Sequence, residues 1–336
     1  MYNNICTKLA ALSLVALAGS PLWAQSANED TPDETTDTTE TSETSETTLI
    51  EDGNPITWVL TGGTIYSDET DFDDDSGTLK SWRTSLGIGA EMDLGEGRWS
   101  IGVDAVHTNY EFTTVSGGGG GGGALRGGGG GGGAILGVFD DVTNLTLNSS
   151  YRGQINGDDS WFIGAIVNAA YESGAEFDDS ISGGVFGGYR HKVNDKLDLG
   201  IGLVVRTRLE DSVLILPLPQ IRYDMGNGWI LESQRVGLRV MYAMSDSLSY
   251  GISGEYESVS FRLDDSNAIA AGAATETRIP VAFEVLYKPN SKFRVHGRVG
   301  AALGSELEFF DTDGNTVSQR DLETSIFFGL SGSFVF

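Results

Sequence analysis

Long stretches of strict period-two alternation constrain this chain more than any other feature. In residues 196–208, KLDLGIGLVVRTR, one face of an extended strand carries Leu197, Leu199, Ile201, Leu203, Val205 and Thr207. The opposite face carries Asp198, Gly200, Gly202, Val204, Arg206 and Arg208. The same split sets Trp82, Thr84, Leu86, Ile88, Ala90 and Met92 against Arg83, Ser85, Gly87, Gly89, Glu91 and Asp93. It returns at Ile279–Tyr287 and again at Phe293–Gly304. No helical 3,4 spacing competes with it beyond the first residues of the chain.

Three properties of these runs point away from a soluble sandwich. They last ten to thirteen residues, whereas globular strands average ~5–6 and tilted membrane strands need ~9–11. Their polar face is rich in Gly, Ser and opposed charges, which suits an enclosed aqueous space. Aromatic residues gather near run ends: Trp99, Trp161, Trp229, Tyr66, Tyr110, Tyr151, Tyr171, Tyr189, Tyr223, Tyr242 and Tyr287, as in interfacial girdles. Turning Arg206 or Arg298 to a bilayer midplane costs ~2–4 kcal/mol each, so the charged face points inward. The expected fold is all-β, a transmembrane antiparallel up-and-down barrel.

The last twelve residues, SIFFGLSGSFVF, put Ile326, Phe328, Leu330, Gly332, Phe334 and Phe336 on one face and stop on an aromatic. This resembles the closing strand of bacterial outer-membrane β-barrels. The resemblance implies that Phe334 and Phe336 are read by the barrel-insertion machinery, and that the chain resides among outer-membrane lipid of a Gram-negative-type cell. Residues 214–263, with their spacing of Pro, Tyr, Trp and Arg-Leu, also resemble a family of outer-membrane barrels of unassigned function. The general resemblance covers about residues 56 to 336.

The first 24 residues read as a secretory signal peptide. Lys8 precedes an apolar run of eleven, Leu9 to Gly19, and Ala24 follows as the last residue removed. A membrane-spanning helix needs ~20 apolar residues. Residues 25–55 read as a disordered Thr/Glu-rich tether; its stretch 26–54 holds ten acidic residues and no basic one. The whole chain of 336 residues carries 48 Asp and Glu against 21 Lys and Arg, a net charge of -27. Such a balance argues against nucleic acid as a partner. The one cysteine, Cys6, falls in the signal segment, so neither a disulfide framework nor a cysteine-built metal site is expected.

Alternating short and long connections give a strand count. Short turns at 93–98, 156–160, 194–196, 224–228, 245–247 and 289–292 are expected to face the periplasm, and long loops the outside. The long loops are 67–79, 115–140, 173–180, 263–275 and 311–316, with 209–213 of intermediate length. Between Trp229 and Met244 the parity requires two strands with a tight return near Ser233–Arg235. The count is then fourteen; twelve follows if that stretch does not cross. Pro217, Pro219 and Pro280 lack ladder donors and mark edges or bulges.

Chemistry-bearing motifs are sparse. Two runs of seven glycines, 117–123 and 127–133, have no strand-to-helix context for phosphate binding and read as a mobile expanded loop. The acidic group from Asp68 to Asp75 fails the EF-hand pattern, because Ser76 and Trp82 stand where Gly and Glu belong. His107, His191 and His296 are dispersed and accompany no serine motif, so no catalytic site, metal or cofactor is expected. The functional lead is the inward charge set. Arg83, Arg206, Arg208, Arg239, Arg278, Arg294 and Arg298 face Glu91, Asp104, Asp198, Glu255 and Glu284 as pore-lining candidates. In a narrow passive channel such opposed charges filter small solutes. In a tighter lumen they pair and plug it, leaving a closed structural or loop-binding barrel. A transporter of hydrophobic compounds is the third expectation, and an apolar lumen patch would mark it.

Overall fold

The computed structural model describes residues 56–74, 76–114, 139–209 and 213–336. The signal segment, the tether and both glycine runs lie outside the described residues. Sixteen strands make one sheet. They are β1 Thr57–Asp71, β2 Gly77–Leu94, β3 Gly97–Thr114, β4 Asp141–Gln154, β5 Asp159–Glu172, β6 Ile181–Asn194, β7 Leu197–Arg206 and β8 Leu214–Gly226. The second half holds β9 Trp229–Gln234, β10 Gly237–Ser245, β11 Leu248–Glu255, β12 Glu257–Arg262, β13 Ala273–Tyr287, β14 Phe293–Phe310, β15 Thr316–Leu322 and β16 Ser325–Val335. Among the described residues the one helical element is the 3-10 turn Asp178–Ser180.

The sheet closes on itself where β1 pairs antiparallel with β16, from Val59–Val335 to Ser67–Phe327. Two wall positions are each filled by strands in tandem: β11 and β12 share β13, and β15 and β16 share β14. Sixteen strands therefore give a closed barrel of fourteen positions, the count that the turn parity requires. The return between β9 and β10 falls at Arg235, whose φ of 50° makes the tight left-handed turn.

Exposure settles the facing. Leu86, Ile201, Ile252 and Leu330 are 58–64% exposed on the outer surface. A soluble domain does not leave such a continuous aliphatic band in water, whereas hydrocarbon is its natural surroundings. Glycines on the inner wall make room for neighbouring charges. A Cβ on Gly87 would fall 2.1 Å from Asp104 Oδ1, and one on Gly329 would fall 2.8 Å from Arg298 Cγ.

The wall is not uniform in height. β9 and β10 have six and nine residues, against 14 to 18 for β2 to β6. β8 continues past the last β9 pair at Arg222–Glu232, and Ile221 N–H already turns to the Ser233 hydroxyl at 2.8 Å. Pro217 and Pro219 share Ile221's orientation, so the missing donors lie on the edge without a partner strand. Across this notch β12, paired with β13 along one edge, lacks a wall neighbour on the other. It bends inward and meets β5 in a parallel bridge, Arg262–Tyr171. Arg262 pins it there by donating to the carbonyls of Asp179 (3.1 Å) and Ala271 (3.0 Å). Asp264 N–H adds a bond to Glu172 Oε2 at 2.8 Å.

Candidate functional site: the barrel lumen

The lumen has two tiers. The outer one is apolar and built around the inturned β12. Phe72, Leu79, Tyr110, Phe139, Val142, Ala170, Phe261, Leu263, Ile269, Ala274, Leu307, Phe309 and Leu322 form one buried cluster. Phe139 packs edge-on against Tyr110, Phe112 and Phe261, with ring centroids 4.9–5.1 Å apart. Such edge-to-face geometry sets the positive ring edge on the negative face. Alternation alone points to a polar interior along the whole barrel; its outer part is instead filled with hydrocarbon.

Directly against this tier lies a layer of four charges that joins β2 to the paired strands β12 and β13 across the lumen. Arg83 on β2 reaches Glu257 on β12 (3.5 Å) and Glu276 on β13 (3.3 Å). Arg278 on β13 reaches the same two carboxylates, at 2.6 and 3.7 Å. These side chains are only 7–13% exposed. Tyr110 joins the tiers, since its ring belongs to the apolar cluster and its hydroxyl donates to Glu276 Oε2 at 2.5 Å. Charges removed from water need this degree of mutual satisfaction.

The inner tier is polar. Glu255 takes Arg298 at 3.1 Å and Arg235 at 3.5 Å, and Arg298 also lies over the Phe327 ring. Glu232 binds both Arg222 (3.4 Å) and Arg239. Glu284 accepts from the Ser253 hydroxyl at 2.5 Å and faces His296 Nε2 at 3.4 Å. Asn148 donates to Asp104 at 3.3 Å and Glu91 lies 3.9 Å from Arg98, while at the outer ends of β6 and β7 Arg206 donates to the Ser182 hydroxyl at 3.3 Å. Asp198 stands opposite Lys192 and Arg222 in its two ladders. Arg294 keeps the inward parity of His296 and Arg298 on β14. Arg208 differs, because β7 ends at Arg206 and Arg208 belongs to the outer connection.

Sequence reasoning places Tyr110 in an interfacial girdle, whereas its ring lies inside the lumen because it has the inward parity of Asp104 and Thr108 on β3; it also missed Glu257, Glu276, Glu232, Arg222, Arg235, Arg98, Arg152 and Arg190. Most sit on inward parity inside a strand, a signal open to reading. Arg235 is the exception, since it sits in the tight return between β9 and β10, and for Glu257 the bend of β12 decides what its inward side chain meets. The histidines stay apart. His107 lies by Thr143 and Asp141 on the outer face, His191 on Asp159 at a turn, and His296 on Glu284.

No protein-family model matches the chain, and no curated protein does. Solved structures of similar shape include the COG4313 outer membrane channel from Pseudomonas putida F1, with TM-score 0.46 and 10% identity over 84% of this chain and 95% of that one. The P. putida toluene transporter TodX gives TM-score 0.41 and 10% identity over 84% and 91%. The NanC porin gives 0.35 and 11% over 82% and 98%.

Proposed function

We propose that this protein is exported to the outer membrane and acts there as a narrow passive channel for small solutes. The charged inner tier is its aqueous vestibule. The apolar tier and the Arg83–Glu257–Glu276–Arg278 layer are the constriction that must part for passage. The observation that carries this reading is the placement of paired charges on facing strands inside a closed barrel, where they order water and sort solutes by charge. In this reading residues 25–55 remain a solvated periplasmic tether, Phe334 and Phe336 serve insertion, and no residue is catalytic.

Two other readings each have an observation in their favour. Mutual satisfaction of the four-charge layer suits a closed structural barrel acting through its outer loops. The apolar tier suits passage of hydrophobic compounds. Planar-bilayer recording separates them. A channel gives discrete steps whose open probability rises in Phe261→Ala, which thins the constriction. Silence in both proteins overturns the channel reading in favour of the closed barrel. Uptake of an uncharged aromatic into vesicles, without ionic steps, overturns it in favour of the third.

A further inference from the structure

The protein carries a net charge of -27, yet its inner lumen collects arginines on one side. Arg98 on β3 and Arg152 on β4 stand directly opposite each other in the ladder. Like charges so placed destabilise a sheet, and nothing in the strand pattern demands them there. Arg98 is held by Asp93 (3.0 Å) and lies 3.9 Å from Glu91. Among the described residues, the Arg152 guanidinium has no hydrogen bond or ion pair. It lies in the field of Arg190, Glu91 and Arg98. Arg190 in turn lies in the field of Asp198, Arg222 and Glu232.

Together these residues form a track. Arg98, Arg152, Arg190, Arg222 and Arg239 lie one, two, four, four and six residues in from the periplasmic ends of β3, β4, β6, β8 and β10. The carboxylates interleaved with them are Glu91, Asp93, Asp104, Asp198 and Glu232; Asp93 is taken up by Arg98, Asp104 accepts from Asn148, and Glu232 is shared by Arg222 and Arg239. Arg152 is thus left beside two other guanidinium groups, near a mouth where Arg98 is 47% exposed. Planar guanidinium groups suit carboxylate and phosphate oxygens, which they grip in a bidentate manner.

We propose that the wall from β3 to β8 is a binding site for small multivalent anions, carboxylated or phosphorylated solutes, with Arg152 as its central ligand. Part of its meaning rests on the channel reading: in a conducting barrel it makes multivalent anions the favoured solutes. The bound solute supplies the counter-charge of Arg152 alone, beside Arg98 and Arg190, and the ladder pairing of Arg98 with Arg152 becomes a functional placement rather than a defect.

The test is equilibrium binding of radiolabelled citrate to the purified full chain, run beside reversal potentials in a salt gradient. Arg152→Gln is expected to weaken citrate binding about tenfold, as loss of a charge-assisted contact does. Arg152→Lys should keep part of the affinity. Lys80→Gln, at an exposed pair with Glu111 on the outer rim, should leave it unchanged. Retention of heat-modifiable migration shows that each variant is folded. Citrate binding equal in wild type and Arg152→Gln overturns the site, even if the barrel conducts. Arg152-dependent binding in a protein that never conducts upholds the site and overturns the channel reading instead.

Discussion

Glu257→Gln removes one charge from the layer between the tiers while keeping its shape. Glu257 Oε2 accepts from Arg278 Nε at 2.8 Å and Nη2 at 2.6 Å and lies 3.5 Å from Arg83 Nη1. Glutamine leaves two guanidinium groups with Glu276 alone, a net charge of one in a site where Glu257 itself is 12% exposed. Breaking a buried pair in this way costs about 3–5 kcal/mol. The lower end applies, because Glu276 remains within 3.3 and 3.7 Å of the two arginines. An exposed pair provides the scale. In Lys80–Glu111 the side chains are 35% and 62% exposed, and Glu111→Gln should cost under about 1 kcal/mol. Urea unfolding in lipid vesicles, followed by tryptophan fluorescence, measures both. Adding Arg83→Gln to Glu257→Gln restores neutrality, so the double variant should recover at least about 1 kcal/mol relative to the sum of the singles. A Glu257→Gln loss no larger than that of Glu111→Gln, or strict additivity in the double variant, would refute the account of this layer as a buried, mutually neutralising set.

Phe261 is fully buried with its ring 4.9 Å from Phe139, so Phe261→Ala should cost about 3–5 kcal/mol in the same unfolding assay. Leu330, 58% exposed at the middle of β16, faces hydrocarbon, and Leu330→Arg should cost about 2–4 kcal/mol; a neutral effect would place that face in water. Removing Phe336 deletes two backbone bonds of 2.9 Å to Trp58 at the closing seam. A lower yield of heat-resistant barrel on gels is the expected result. In the β14–β15 turn, the Asn315 side-chain bond holds the Asp311 carboxyl below its ordinary value, with backbone donors adding to it. The turn's contribution is therefore complete above the ordinary aspartate range and fades as pH falls through the lowered value. Amide exchange at Asn315 should speed up over that acid interval, and Asp311→Ala should abolish the dependence.

Alternation in the sequence determined which side of most strand segments touches lipid and where most turns fall, and it narrowed the crossings to fourteen or twelve. Each of these follows from local geometry: successive side chains point oppositely, and an arginine at the midplane is costly wherever the strand ends up. The extra pair of strands at Trp229–Met244 was legible for the same reason, because both termini must finish on one side. The contents of the outer lumen were not legible. Leu303 faces lipid while Leu307 and Phe309, of the same parity, are buried inside, because the register slips at Gly304 with its φ of 55°. A single inserted residue inverts every side chain beyond it. The four-charge layer likewise joins Arg83 to Glu257 and Glu276, 174 and 193 residues away. Only closure of the barrel and the inward bend of β12 bring those groups within reach. A strand's periodicity tells which way a side chain points; what it meets across the lumen depends on bulges, strand lengths and ring closure, and those are properties of the tertiary structure.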